Sequence, residues 1–244
     1  MGGGNALKKA LICLACLIPI IAGGWGLFGL STSPSDGFVY LHQDSWNGSA
    51  DAEDNWSSTQ GTDADIYISA SGGPDGSDCM EYTDDNANTA YVQQELGSDY
   101  NEVWGGWVMR ESDIGMGPSN WERVLKLATG AGGVEIEVRY QPDVAASPDS
   151  RQTWYYDAYA ANSSASYTYS SGWTTTKFHY VEHASAGSFT VWVDGVQKIN
   201  QTGLANDNGG IGQVRLGGQG NTFTNAASEI RFDDWLIAES DPDA

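Results

Sequence analysis

The chain has 244 residues, with 11 Lys and Arg against 32 Asp and Glu and a formal net charge of -21. All 32 acids lie beyond residue 35, and beyond residue 30 the balance is 9 cations against 32 acids, or -23. That balance speaks against nucleic acid, whose phosphates call for clustered Lys and Arg. Ten Trp, twelve Tyr and six Phe speak against a disordered acidic chain.

The first element is apolar. Lys8-Lys9 precede 21 uncharged residues, Ala10 to Leu30, enough to reach the ~20 needed for a membrane-spanning helix. The two lysines favour a cytoplasmic N-terminus with the remainder outside. A cleaved signal peptide is the competing reading, with small residues at Ala22-Gly23-Gly24. A segment buried between subunits in a self-assembled filament or shell is the third. Residues 1–30 are therefore expected to be a signal peptide or an N-terminal anchor. A membrane is met only through residues 10–30 if they stay uncleaved, and all three readings put the rest outside the cytoplasm. Cys13 and Cys16 fall inside this segment, so their spacing is no redox motif. Cys79 stands alone beyond it and is expected to be a small buried residue.

Residues 31–36, STSPSD, read as a linker. From there on, short runs rich in Val, Ile, Thr, Tyr and Trp alternate with Gly, Asn, Asp, Ser and Pro. Strands are predicted at 37–43, 64–70, 77–83, 89–96, 102–110, 121–128, 133–140, 152–160, 177–184, 188–193, 196–200, 211–217 and 228–237. In GVEIEVRY, Val134, Ile136, Val138 and Tyr140 share one face, while Glu135, Glu137 and Arg139 share the other. Asp194-Gly195 between VWV and VQKI predicts a type I′ hairpin turn. So many strands with one apolar face give an antiparallel sandwich. No repeat and no second domain boundary is visible, and residues 240–244 form an acidic tail.

The succession EVWGGWVMR, WERVLKLA, KFHYVEHA, SFTVWVDGVQ, IGQVRLGG and IRFDDWLIAES resembles the concanavalin A-like lectin/glucanase superfamily. The resemblance runs over residues 37–239. It implies an all-β jelly roll, preceded here by the N-terminal hydrophobic helix. It is specific for fold and weak for activity, because laminin-G-like modules, carbohydrate-binding modules and polysaccharide lyases share it.

Four sets of residues could carry chemistry. Glu135 and Glu137 lie ~6.5–7 Å apart along a strand, within the range of glycosidase carboxylate pairs. Laminarinase-type members of the superfamily carry E-x-D-x-E. Here the run is Glu135-Ile136-Glu137-Val138-Arg139, and an arginine cannot protonate a leaving oxygen. The bland alternative is a solvated strand face. A lyase would need a base and cations against a uronate; His179, Tyr180, Arg110, Arg139 and Tyr156 could supply them. The negative chain would repel an anionic polysaccharide unless a local basic cleft existed, with nine cations to build one.

Asp-rich loops suit Ca²⁺. The resemblance implies a structural calcium linking the first strand to the last, near Asp44, Asp233 and Asp234. Finally, sugar rings stack on aromatic planes, and Trp154 and Tyr156 beside Arg139 are the platform expected here. The leading expectation is an extracellular, non-catalytic jelly roll that binds a polysaccharide, a glycan or a surface partner. The alternatives are a polysaccharide lyase or glycoside hydrolase with a divergent site, and a structural subunit that self-assembles.

Overall fold

Alternation lays an apolar stripe along each strand, and these stripes meet between two antiparallel sheets. The computed structural model describes residues 40–61, 65–83, 89–112, 121–141, 150–157, 163–169, 172–219 and 229–243. Its strands in chain order are β1 (Tyr40–Asp44), β2 (Ser58–Gln60), β3 (Ile66–Ser69), β4 (Cys79–Thr83) and β5 (Ala90–Tyr100). Then come β6 (Glu102–Ser112), β7 (Glu122–Ala128), β8 (Val134–Gln141), β9 (Ser150–Asp157) and β10 (Ser163–Tyr169). The last five are β11 (Thr174–Val181), β12 (Gly187–Val193), β13 (Val196–Leu204), β14 (Ile211–Gly218) and β15 (Glu229–Ala238). One sheet runs β13-β12-β11-β6-β15-β4-β3, with β1 also paired to β15; the other runs β10-β9-β8-β7-β14-β5-β2. The expected leader, hydrophobic helix and linker lie outside the described residues.

Two strands are additional to the prediction. β10, SSASYTY, has few apolar side chains, and β2 is three exposed residues at a sheet edge. Both are placed by pairing with a neighbour rather than by an apolar stripe.

The space between the sheets is filled by rings. Trp107 stacks on Trp154 at 5.5 Å and on Trp235 at 6.1 Å, and Trp154 meets Phe189 at 5.3 Å and Phe178 at 5.8 Å. A side chain at Gly105 would strike the Phe178 ring at 2.4 Å, so glycine is what lets that ring lie over β6. Cys79 is buried, and burial pushes its thiol up to about 12, which suits an inert packing role. Asp194 and Gly195 have φ of 49° and 75°, the left-handed pair that a type I′ turn requires.

Candidate functional site

The outer face of the seven-strand sheet carries a cluster of basic side chains. On β8, Ile136, Val138 and Tyr140 enter the core, which turns Glu137 and Arg139 outward. Residues directly paired across strands share a face. Ser58 pairs with Gln93, Gln93 with Arg215, Arg215 with Lys126 and Lys126 with Glu137, so one polar row crosses β2, β5, β14, β7 and β8. A second row sets Arg123 beside Arg139. Arg123, Lys126, Arg139 and Arg215 thus gather four of the nine cations found beyond residue 30.

Arg123 and Lys126 are three apart and would point to opposite faces of a regular strand. A bulge between Arg123 and Leu125 absorbs Val124 and restores both to the outside. On β14 the alternation is regular: Val214 and Leu216 are buried in the core, and Gln213 and Arg215 face out.

The side chains are held in place. Glu137 is nearly buried; it forms an ion pair with Arg123 Nε at 2.8 Å and accepts a hydrogen bond from Arg139. The Arg139 guanidinium lies 3.8 Å over the Trp121 ring, with Arg123 at 5.6 Å from it. Arg215 Nε donates to Gln93 Oε1 at 2.7 Å, above the Tyr91 ring at 5.0 Å. Gln93 and Gln213 each donate to Glu95, at 2.8 and 2.6 Å. Arg215 and Lys126 take part in no ion pair among the described residues. Burial, then the charges of Arg215 and Arg123, lower the Lys126 ammonium below the usual lysine range. Arg, Lys and amide donors in this array suit carboxylate-bearing ligands.

Most residues expected at the site are elsewhere. Trp154 is fully buried among Trp107, Phe178 and Phe189 and offers no platform. Its neighbour in the expected platform, Tyr156, lies on β9 with its side chain outside the described residues. Tyr180 is likewise in the core, so it is no acid or base in a cleft. His179 stands on the eight-strand sheet, stacked 3.8 Å from Trp104 and 2.8 Å from Glu102. Arg110 pairs with Arg231 on that same sheet and does not join Arg139. Glu137 faces outward opposite Lys126, whereas Glu135 is skipped at a register shift between β7 and β8, and both carboxyls are buried rather than solvated. Of the residues expected to bind, Arg139 lies in the basic cluster, and Arg123, Lys126 and Arg215, its other cations, were not among those expected. On β14 the pattern Gln213-Val214-Arg215-Leu216 held a readable signal; on β7 the bulge erased it.

The pairing of β1 with β15 sets Asp44 opposite Trp235, the neighbour of Asp234, but the three carboxyls of the expected calcium site do not converge on one point. Asp44 accepts from Trp46 N at 2.8 Å and Trp56 Nε1 at 2.9 Å. Asp233 accepts from Ser77 Oγ and from Asp234 N, both at 2.8 Å. Asp234 itself sits at the β15 bulge with φ of 48°. Among the described residues no three His, Cys, Asp or Glu side chains converge to hold a metal.

Burial, then the charges of Asp234 and Asp75, push the Asp233 carboxyl from 3.8 up to about 7. Below the ordinary value both folded and unfolded chains are protonated here. As pH rises toward 7 the unfolded chain ionises first, so this position's contribution to stability is lost between those two values. Asp233→Asn is expected to flatten the fall in melting temperature between pH 4 and pH 7, by an amount on the order of a few kcal/mol at most. Parallel melting curves for variant and parent across that range would contradict the assignment.

No protein-family model and no curated protein matches this sequence. Solved structures do share its fold. The alginate lyase Aly36B, as a double mutant holding an alginate trisaccharide, superposes with a TM-score of 0.58 at 12% identity, covering 82% of this chain and 98% of that one. The binding domain of botulinum neurotoxin serotype D gives 0.52 at 10% identity, over 75% of this chain and 43% of the toxin chain. A botulinum neurotoxin of type C, which depends on two ganglioside molecules to get into cells, gives 0.51 at 9% identity, over 76% and 43%. This chain therefore spans less than half of either toxin chain. The shared fold is a jelly-roll β-sandwich, and at these identities the likeness is one of fold.

Proposed function

We propose that the chain is a glycan-binding jelly roll whose outer seven-strand face holds a polysaccharide bearing carboxylates. One observation carries this reading: four of nine cations stand together on one face of a domain with net charge -23. Arg215 and Gln93 can grip a uronate carboxylate, Lys126 lies beside them, and Tyr91 and Trp121 stiffen the arginines. The sugar-bound alginate lyase and the ganglioside-dependent toxin make glycans the natural class to test. Binding of alginate or hyaluronan oligosaccharides, with dextran inert, is the expected result in a titration. Dextran bound as well as either acidic chain would defeat the proposal. The same reading places the sandwich outside the cytoplasm, on the strength of the uncharged run 10–30 behind Lys8-Lys9.

The lowered Lys126 ammonium supports a second reading, β-elimination. A neutral Lys126 amine would take the C5 proton of a uronate whose carboxylate is neutralised by Arg215. The C5–H electron pair would form the C4–C5 double bond as the C4–O bond breaks, and the leaving oxygen would regain a proton from the lysine. Release of unsaturated uronate, followed by its ultraviolet absorbance, separates the two readings. If elimination occurs, Lys126→Met should abolish it while leaving the chain folded; a Met variant that cleaves at the parent rate would remove Lys126 from the chemistry.

A further inference from the structure

Two residues along β8 from Glu137 lies Glu135, beneath a cavity of about 400 Å³ lined by Thr129, Ala131, Gly133, Glu135 and Asn208. Its rim is the β7–β8 hairpin, where Thr129 Oγ1 accepts from Gly133 N at 3.0 Å. Lys126 Nζ donates to the Gly132 carbonyl in that hairpin at 3.4 Å, so the cavity opens off the end of the basic row. Across that short step the chemistry changes sign. No cation lines the cavity; its polar groups are the Glu135 carboxyl, the Thr129 hydroxyl and the Asn208 amide. Glu135 is closed to solvent and forms the floor, and no cation among the lining residues stands ready to pair with a second carboxylate above it. Direct contact is left to the walls. Asn208 Nδ2 and Glu182 Oε2 have no hydrogen-bond partner among the described residues. Glu182 is tied to this corner because its Oε1 accepts from the backbone N–H groups of Asn208 and Gly209. On the wall itself, the Asn208 amide with no partner for its Nδ2, beside the Thr129 hydroxyl, is what a sugar hydroxyl, which both gives and takes hydrogen bonds, can satisfy.

We propose that this cavity is a selectivity subsite taking a sugar unit that carries hydroxyls but no carboxylate, so that the face reads a copolymer in which an acidic unit over Arg215 and Lys126 is followed by an uncharged one. The inference rests on the reading of the basic face as a site for acidic glycans and adds to it a preference among them. A homopolymer of uronates would set a carboxylate over Glu135 at every register; an alternating polymer would not.

The test compares oligosaccharides of alginate, in which every unit is a uronate, with those of hyaluronan, in which uronate alternates with an uncharged amino-sugar derivative. The parent protein is expected to bind hyaluronan about tenfold tighter than alginate, the scale of one or two hydrogen bonds. Glu135→Gln should narrow that ratio by tightening alginate severalfold. Ala131→Trp, at an exposed rim position that leaves the core untouched, should fill the cavity and lower hyaluronan affinity about tenfold, with alginate unchanged. Equal affinities in the parent, or a preference that neither variant alters, would overturn the subsite and leave the basic face standing. Failure of both polymers to bind would overturn the subsite and the basic-face reading together.

Discussion

Arg215→Ala is expected to weaken binding of alginate and hyaluronan oligosaccharides by about 10- to 100-fold while the melting curve barely moves. Arg215 sits in the middle of the row, between Gln93 and Lys126. Its Nε is held by Gln93 Oε1 at 2.7 Å and its guanidinium rests over Tyr91, so the group is pre-positioned. No ion pair among the described residues consumes its charge, in contrast to Arg123 and Arg139, which share Glu137. A carboxylate arriving here gains charge-assisted hydrogen bonds of about 1.5–3 kcal/mol, which sets that range of affinity loss. Arg215→Lys should fall between, because a point charge replaces a planar fork. The side chain lies on the sheet surface, so stability should change by no more than about 0.5 kcal/mol. Calorimetric titration at two salt concentrations is the measurement. Parent-like affinity in the alanine variant would remove this residue, and with it the centre of the proposed face.

Trp154→Ala should produce the opposite pattern: a loss of about 3–5 kcal/mol in stability, with binding impaired only as far as the fold is. Trp154 is fully buried and in ring contact with Trp107, Phe178 and Phe189 at 5.3–5.8 Å. Removing it opens a void between the sheets that rigid neighbouring rings cannot fill, so the lost transfer energy and the cavity add. Trp154→Phe should cost less, because a ring remains. Denaturant unfolding monitored by circular dichroism gives the difference, and glycan titration of the surviving folded fraction completes the comparison. A Trp154→Ala protein as stable as the parent but blind to sugar would mean the ring contacts ligand rather than core.

The two experiments mark the line between what the sequence could and could not disclose. Strand alternation was legible where one face is apolar, as on β8 and β12, because burial imposes a period of two. It failed on β10, whose Ser-Ser-Ala-Ser-Tyr-Thr-Tyr has no such stripe and is ordered by its pairing with β9. Parity also leaves open which of two aromatic faces turns inward: Trp154 and Tyr155 are adjacent, and only the register against Val138 settles that Trp154 joins the core. The basic face was illegible for a different reason. Its four cations come from β7, β8 and β14; β7 and β8 form a hairpin, but β14 reaches β7 only through a pairing between segments far apart in the chain. The low cation total made a cleft look unaffordable when it was only concentrated. Tyr180 was misread because KFHYVEHA alternates cleanly, yet nothing in it says that Phe178 and Tyr180, rather than His179, face the second sheet.

The extra residue at Val124 bears on how kindred chains should be sought. With Val124 looped into the bulge, Arg123 still pairs with Arg139 and Leu125 with Val138, the next residue along. A homologue that lost this valine by a single-codon deletion would keep both pairings, and its arginine and lysine would face outward two positions apart instead of three. Arg-Val-Leu-Lys and Arg-Leu-Lys are then two spellings of one surface, and a pattern search that fixes the spacing would pass over any chain that carries the other.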